Sequence, residues 1–175
     1  MEIEIRQANL NDMTEVSRLF NEYRMFYGQS SDVEGASRFM EERMNNNESI
    51  VFIAQCIKDR KERAGAAQAV NEGKYNEAEG QAAGLVQIYP SYSSVSMGPI
   101  WILNDLYVDA NYRQQGIARK LMQAVMKQAA DHGILRITLS TAVSNQQAQA
   151  LYESEGYAQD QSFMYYECSV KGGML

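Results

Sequence analysis

The chain has 175 residues, 45% of them hydrophobic and 10% aromatic, enough for the buried core of one domain. Its formal net charge of -6 disfavours non-specific binding to nucleic acid and suits a cationic small substrate, although acidity also serves plain solubility. The two cysteines, Cys56 and Cys168, are far apart without ligand spacing, and no apolar run is long enough to span a bilayer, so no disulfide framework, metal site or membrane span is expected.

Met1-Glu2-Ile3-Glu4 shows no charged start followed by an apolar run, so no signal peptide is expected, and free thiols in a reducing cytoplasm are the default. Ile3 to Gln7 alternates apolar and polar residues and predicts a first strand. Asn9 to Asp12 forms a turn into a helix whose apolar positions are Met13, Val16, Leu19, Phe20 and Tyr23. A polar break follows Tyr27, then a second helix from about Glu34 to Met44 with Ala36, Phe39 and Met40 inward. Ser49 to Ile57 is a β-branched strand.

The stretch from 58 to 81 is charged and alanine-rich, and is expected to be an insertion between two strands of a hairpin. Ala83 to Tyr89 resumes the sheet, Pro90 to Pro99 is a turn-rich connection, and Ile100 to Val108 is a long strand. A helix from about Gly116 to Asp131 and a strand from Ile134 to Ser140 complete a parallel β-α-β unit. His132, the only histidine, precedes Gly133 and is expected to close this helix, which disfavours triad chemistry. Asn145 to Glu155 is a further helix stopped by Gly156, Ser162 to Ser169 a last strand, and 171–175 a tail. The expected fold is α/β: a mixed, mostly antiparallel sheet, one parallel crossover, helices on both faces, and a single domain over 1–170.

The stretch RQQGIARK, Arg113 to Lys120, joins a strand to a helix. First-turn amides lack helical partners, and the helix dipole favours an anion beside them. Gly116 has no Cβ to obstruct an approaching oxygen, and Ala118 is small. Neither GxxxxGK[ST] nor GxGxxG is present, so by itself this stretch is either a diphosphate site or an ordinary turn with a basic rim.

Context narrows the choice. Arg113, Gly116 and Ala118 form R-x-x-G-x-A, and a second block carries Asn145, Ala148, Leu151, Tyr152, Gly156 and Tyr157. Together, in this order and spacing, they resemble the GNAT superfamily of acetyl-CoA-dependent N-acetyltransferases over nearly the whole chain. YRMFYGQSSD and YPSYSSVSMGPIWILNDLYV are similar to the branch near the yeast histone and D-amino-acid acetyltransferases and the polyamine acetyltransferases.

The resemblance implies direct attack of a neutral amine on the thioester of acetyl-CoA, with no metal. Backbone groups of Leu106, Tyr107 and Val108 would pair with pantetheine, and Arg113, Gln114, Gln115, Gly116, Ile117, Ala118 and Arg119 would hold the diphosphate. Asn145 would bond the cofactor arm, and Tyr152 would protonate the departing thiolate.

The polyamine branch has a glutamate where Asn104 stands here. Asn104 would orient a water, and the adjacent ionisable Asp105 would join the proton route if a bulge changed the strand register, or else be structural or hold the acceptor cation. Tyr23, Tyr27, Asp32 and Tyr89 are candidates for the acceptor site, with Tyr92 and Trp101 as a further aromatic wall, or they are packing residues of a tyrosine-rich chain. The leading expectation is an N-acetyltransferase for a small primary amine, beside a protein lysine or N-terminal acetyltransferase and a non-catalytic CoA-binding module. The partners expected are acetyl-CoA and an amine, without nucleic acid or membrane, and a homodimer follows at family level.

Overall fold

The computed structural model describes residues 2–57 and 81–170. All but the last residue of the expected 58–81 insertion, and the whole 171–175 tail, lie outside the described residues. The chain divides into two compact units, Met1–Ser140 and Thr141–Leu175.

The larger unit holds a five-stranded sheet: β1 (Glu2–Gln7), β2 (Ile50–Ile57), β3 (Ala82–Ser93), β4 (Gly98–Val108) and β5 (Ile137–Leu139), in that spatial order. The first four strands pair antiparallel, and β4 pairs parallel with β5. The crossover between β4 and β5 is the helix α3 (Ile117–Asp131).

Two helices, α1 (Met13–Phe26) and α2 (Val33–Asn45), cover one face of the sheet. Val16, Leu19 and Phe20 of α1 and Ala36 and Met40 of α2 recur at helical spacing, and they are buried with Val51, Ile53 and Leu85 from the strands. On the other face α3 presents Ile117, Leu121, Met122, Val125 and Ala129, all buried. Phe39, expected inward, stays 37% exposed. Its ring lies flat against Phe20 and takes the Arg43 guanidinium on its outer side, so it caps the core edge.

A short helical turn, Leu10–Asp12, leads into α1 and is closed by a capping box. Asn9 accepts from the N–H of Asn11, and Asp12 accepts from the N–H of Asn9 at 2.8 Å. Asp12 also takes a two-pronged hydrogen bond from Arg6 of β1, at 2.8 and 2.6 Å. Burial opposes its charge, but Arg6 and the Asn9 amide outweigh burial and hold the carboxyl below its ordinary value of 3.8. Stability from a lowered carboxyl is present above the unfolded pKa and fades as pH falls through the folded one. Arg6→Met is therefore expected to cost about 2 kcal/mol at neutral pH, with the gap to the parent closing in denaturant titrations below pH 4.

Three elements differ from sequence expectation. Strand β3 continues through Pro90 to Ser93, where a turn was expected; β2 stops pairing at Ile50↔Ile88, so from there β3 has β4 on one side only, and an edge tolerates proline. Strand β5 is three residues long; before it, the amide of Ile134 bonds Ala129 at the end of α3 and the amide of Leu135 bonds Pro99 of β4. Residues 162–169 form no strand. Asp160 takes the amides of Ser162 and Phe163 in a turn, and Phe163, Met164, Tyr165 and Tyr166 are all exposed, with no ladder partner among the described residues.

Candidate active site

The site follows from an interruption in β4. Gln87 pairs with Asp105, but Ile88 pairs with Leu103, so Asn104 is an extra residue: a β-bulge. The bulge reverses which side chains face α1. Asp105 lies on the α1 side, two residues from Tyr107, which packs into that core. Leu103 lies on the opposite, α3 side. The register change that Asp105 needed is therefore present.

The bulge also marks where β4 loses its neighbour. Pairing with β5 covers Trp101, Ile102 and Leu103 and stops there. From Asn104 to Val108 that edge of β4 has no strand beside it among the described residues. An extended chain with amides of its own could add to this edge through main-chain hydrogen bonds.

Past Val108 the chain enters a helical turn, Ala110–Tyr112, capped by Asp109, and then α3. Gln114 and Gly116 both sit in the left-handed region, with φ of 61° and 75°. Such a turn gathers successive N–H groups into a concavity at the helix N-terminus. A Cβ built on Gly116 meets nothing within 4 Å, so the space beside it is open. Gln114, Gln115 and Arg119 are exposed and Ala118 half-buried, whereas the Ile117 side chain belongs to the core.

Arg113, a candidate for the diphosphate, makes contacts of its own within the protein. Its Nε donates to the carbonyl of Val108 at 3.1 Å, and its guanidinium lies over the rings of Tyr107 and Phe26, 5.6 and 5.7 Å from their centroids. It braces the end of β4. Arg18, which sequence inspection missed, braces the same region from α1. It donates to Asp109 at 3.0 Å and to the carbonyl of Ala82 at 2.6 Å, and pairs with Glu15 and Glu22 on its own helix. The Glu15-Arg18-Glu22 spacing was a signal for the helical pairs, but not for Asp109.

Asp105 is 3% exposed. Burial pushes its carboxyl above the ordinary value, against smaller opposing effects from Asn104 and Tyr23. Asn104 Nδ2 donates to Asp105 Oδ1 at 3.1 Å, and the Tyr23 hydroxyl donates to the Asn104 carbonyl at 3.5 Å. Tyr89 is pushed up to about 12, by burial first and then by the charge of Asp105, so its phenol is neutral at physiological pH.

Tyr27 packs edge-on against Tyr23 at 5.1 Å and is about half exposed. Tyr23, Tyr89, Asn104 and Asp105 are thus brought together, with Tyr27 at the margin. Asp32 is not part of that group: it accepts from the amide of Gly35 and caps α2, and its own amide donates to Asn21. Trp101 is buried on the α3 side against His132, and Tyr92 is 80% exposed, so neither adds to a wall around Asp105. His132 and Gly133 close α3 as expected.

The smaller unit holds α4 (Gln146–Ser154). Asn145 caps it, its Oδ1 accepting from the amide of Ala148 at 3.2 Å. The helix ends with the Gly156 amide on Glu153 and the Tyr157 amide on Tyr152. This closure sets the Tyr152 and Tyr157 rings 6.2 Å apart. The Tyr157 hydroxyl is buried without a partner, and burial, then Tyr152, raises it to about 12. No group of three or more histidine, cysteine or acidic side chains able to hold a metal occurs among the described residues. No described helix is long and apolar enough to cross a membrane.

The chain is 37% identical over 166 residues to the uncharacterized N-acetyltransferase YhfO of Bacillus subtilis (strain 168), covering 95% of this chain and 97% of that one. It superposes on the crystal structure of a probable acetyltransferase with a TM-score of 0.79 at 33% identity, over 97% of this chain and 99% of the other. At 18% identity it shares the fold of AAC(6')-Iy, solved in complex with the bisubstrate analogue CoA-S-monomethyl-acetylneamine, with a TM-score of 0.68 over 97% and 99% of the two chains. Residues 16–157 match the acetyltransferase (GNAT) family, and the chain belongs to it.

Proposed function

We propose that this protein transfers an acetyl group from acetyl-CoA to the primary amine of a small molecule, by direct attack within a ternary complex. One observation carries the reading. The open edge of β4 from Asn104 to Val108 runs into a turn with two left-handed residues and a helix N-terminus. Pantetheine contains two amides and would add to the edge as a short strand. The diphosphate would meet the amides of residues 114–119, with Arg119 at the rim. Since Arg113 is engaged with Val108, cofactor binding would either displace it or leave it as a brace.

The acceptor amine would bind near Tyr23 and Tyr89, where aromatic faces and the Asp105 carboxylate suit a cation before it loses its proton. Tyr27 would line the entrance. Asp105 would receive that proton, with Asn104 orienting the groups around it. Asn145 would bond the cofactor arm, and Tyr152 would protonate the leaving thiolate. A phenol suits that step because it is neutral at pH 7 and donates to a developing anion.

A panel of polyamines, amino acids, aminoglycosides and peptides, assayed for release of the CoA thiol, tests the acceptor class. Turnover confined to small amines supports the reading. Turnover confined to peptides makes the protein a protein acetyltransferase, and CoA binding without turnover makes it a binding module. Tyr152→Phe is expected to lower kcat about 100-fold with the KM for acetyl-CoA little changed. Unaltered kcat with every active amine would remove Tyr152 from the acid role.

A further inference from the structure

The sheet face beneath α1 carries a polar group that the chemistry above leaves unused. Gln87 is 0% exposed, yet neither its side-chain oxygen nor its nitrogen has a hydrogen-bond partner in the protein. It stands directly opposite Asp105, whose Oδ2 is also buried and without a partner. Both face α1, since Leu85 and Tyr107, the opposed pair two residues along, pack into the core on that side. Facing side chains of such a pair leave the sheet about 5 Å apart at Cβ.

A buried amide with donor and acceptor both unmet is costly, and native interiors answer it with an ordered water bonded to two or more polar groups. Gln87 also interrupts an otherwise apolar strand, Ala83 to Ile88, where a leucine or valine would pack without this penalty. The groups facing Asp105 are Tyr23 from α1, Tyr89 from β3 and Asn104 from β4, while Arg43 and Glu48 act on Tyr89 beyond. None of these places a hydrogen bond on Oδ2.

We propose that Gln87 is a positioning residue for acceptor deprotonation, its side-chain N–H holding a buried water against Asp105 Oδ2. The inference rests on Asp105 as the proton acceptor. The amine's N–H bond breaks as an O–H bond forms to the water, and one of the water's own protons passes to Oδ2. The water is restored, Asp105 becomes a neutral acid, and the nitrogen lone pair is released for attack on the thioester. The proton returns to solvent before the next turnover.

The test compares Gln87→Met, which keeps the volume and removes both polar atoms, with the parent. Two quantities are measured: kcat and KM with acetyl-CoA and the best amine of the panel, and the carboxyl titration of Asp105 by 13C NMR in the unliganded protein. The expected result is a fall in kcat of about tenfold or more with the KM for acetyl-CoA unchanged, and an Asp105 midpoint moved upward because the carboxylate has lost a donor. A simple packing role would move neither. Unchanged kcat overturns the proposal, with or without a shift in midpoint. Should Gln87→Met fail to fold, Gln87→Leu removes both polar atoms in a different apolar shape; a lower kcat and an upward shift are again expected, and parental values overturn the proposal. Asp105→Asn separates the two layers. If it loses turnover while Gln87→Met does not, only the role of Gln87 falls. If it keeps full turnover, the reading of Asp105 falls first.

Discussion

Asp105→Asn is expected to lose turnover and gain stability. In the proposed role of proton acceptor, Asp105 would have to be ionised for the amine to react, so removing its charge is expected to lower kcat by about 100-fold or more. The acidic limb of the pH–rate profile, which this carboxylate would set in that role, is expected to vanish with it. Stability changes in the opposite sense. Burial raises the Asp105 carboxyl above its ordinary value of 3.8, so the folded chain binds this proton more tightly than the unfolded chain. Folding stability therefore declines as pH rises from about 4 towards the folded pKa, where the buried group must ionise. Asparagine carries no such burden. The variant is expected to be more stable than the parent by about 1 kcal/mol at neutral pH, with the advantage disappearing below pH 4. Thermal unfolding at several pH values, beside a pH–rate profile, checks both halves. If turnover and the acidic limb both survive, Asp105 is a structural residue.

Gly116→Val is expected to weaken acetyl-CoA binding far more than it destabilises the fold. At φ 75° a side chain is strained, and a β-branched residue in the left-handed region costs about 1–2 kcal/mol. The protein itself offers no clash, because a Cβ there meets nothing within 4 Å. The added methyls would fill the space proposed for a diphosphate oxygen, and are expected to raise the Kd for acetyl-CoA at least tenfold. Calorimetric titration of folded protein measures the affinity, and thermal unfolding without ligand measures the strain. Gly116→Ala separates the terms: similar backbone strain, with less intrusion and so a smaller loss of affinity. Equal affinities for parent and Gly116→Val would place the diphosphate somewhere other than the 114–119 turn.

Both predictions meet at the bulge on Asn104. It turns Asp105 towards α1, while the same interruption coincides with the end of β5 pairing and opens the edge that leads to Gly116. Arg18 and Arg113 hold this junction from two sides, through Asp109, Ala82 and Val108.

The parts of this protein readable along the chain are those whose causes lie within a few residues of each other. Val16, Leu19 and Phe20 form a stripe because a helix repeats every 3.6 residues, and Asn9 with Asp12 caps the turn that leads into it across three positions. The RQQGIARK turn and the Tyr152-Gly156-Tyr157 helix end are likewise local, so their shapes follow from their own residues. The 162–169 segment shows the limit of such reading, because alternation describes a candidate strand but cannot supply the partner that a strand requires. The bulge, the pairing of Gln87 with Asp105, and the reach of Arg18 to Asp109 each join residues far apart in the chain. Their geometry depends on strand register and helix docking, which the whole core settles at once, and no window of neighbouring residues contains that information.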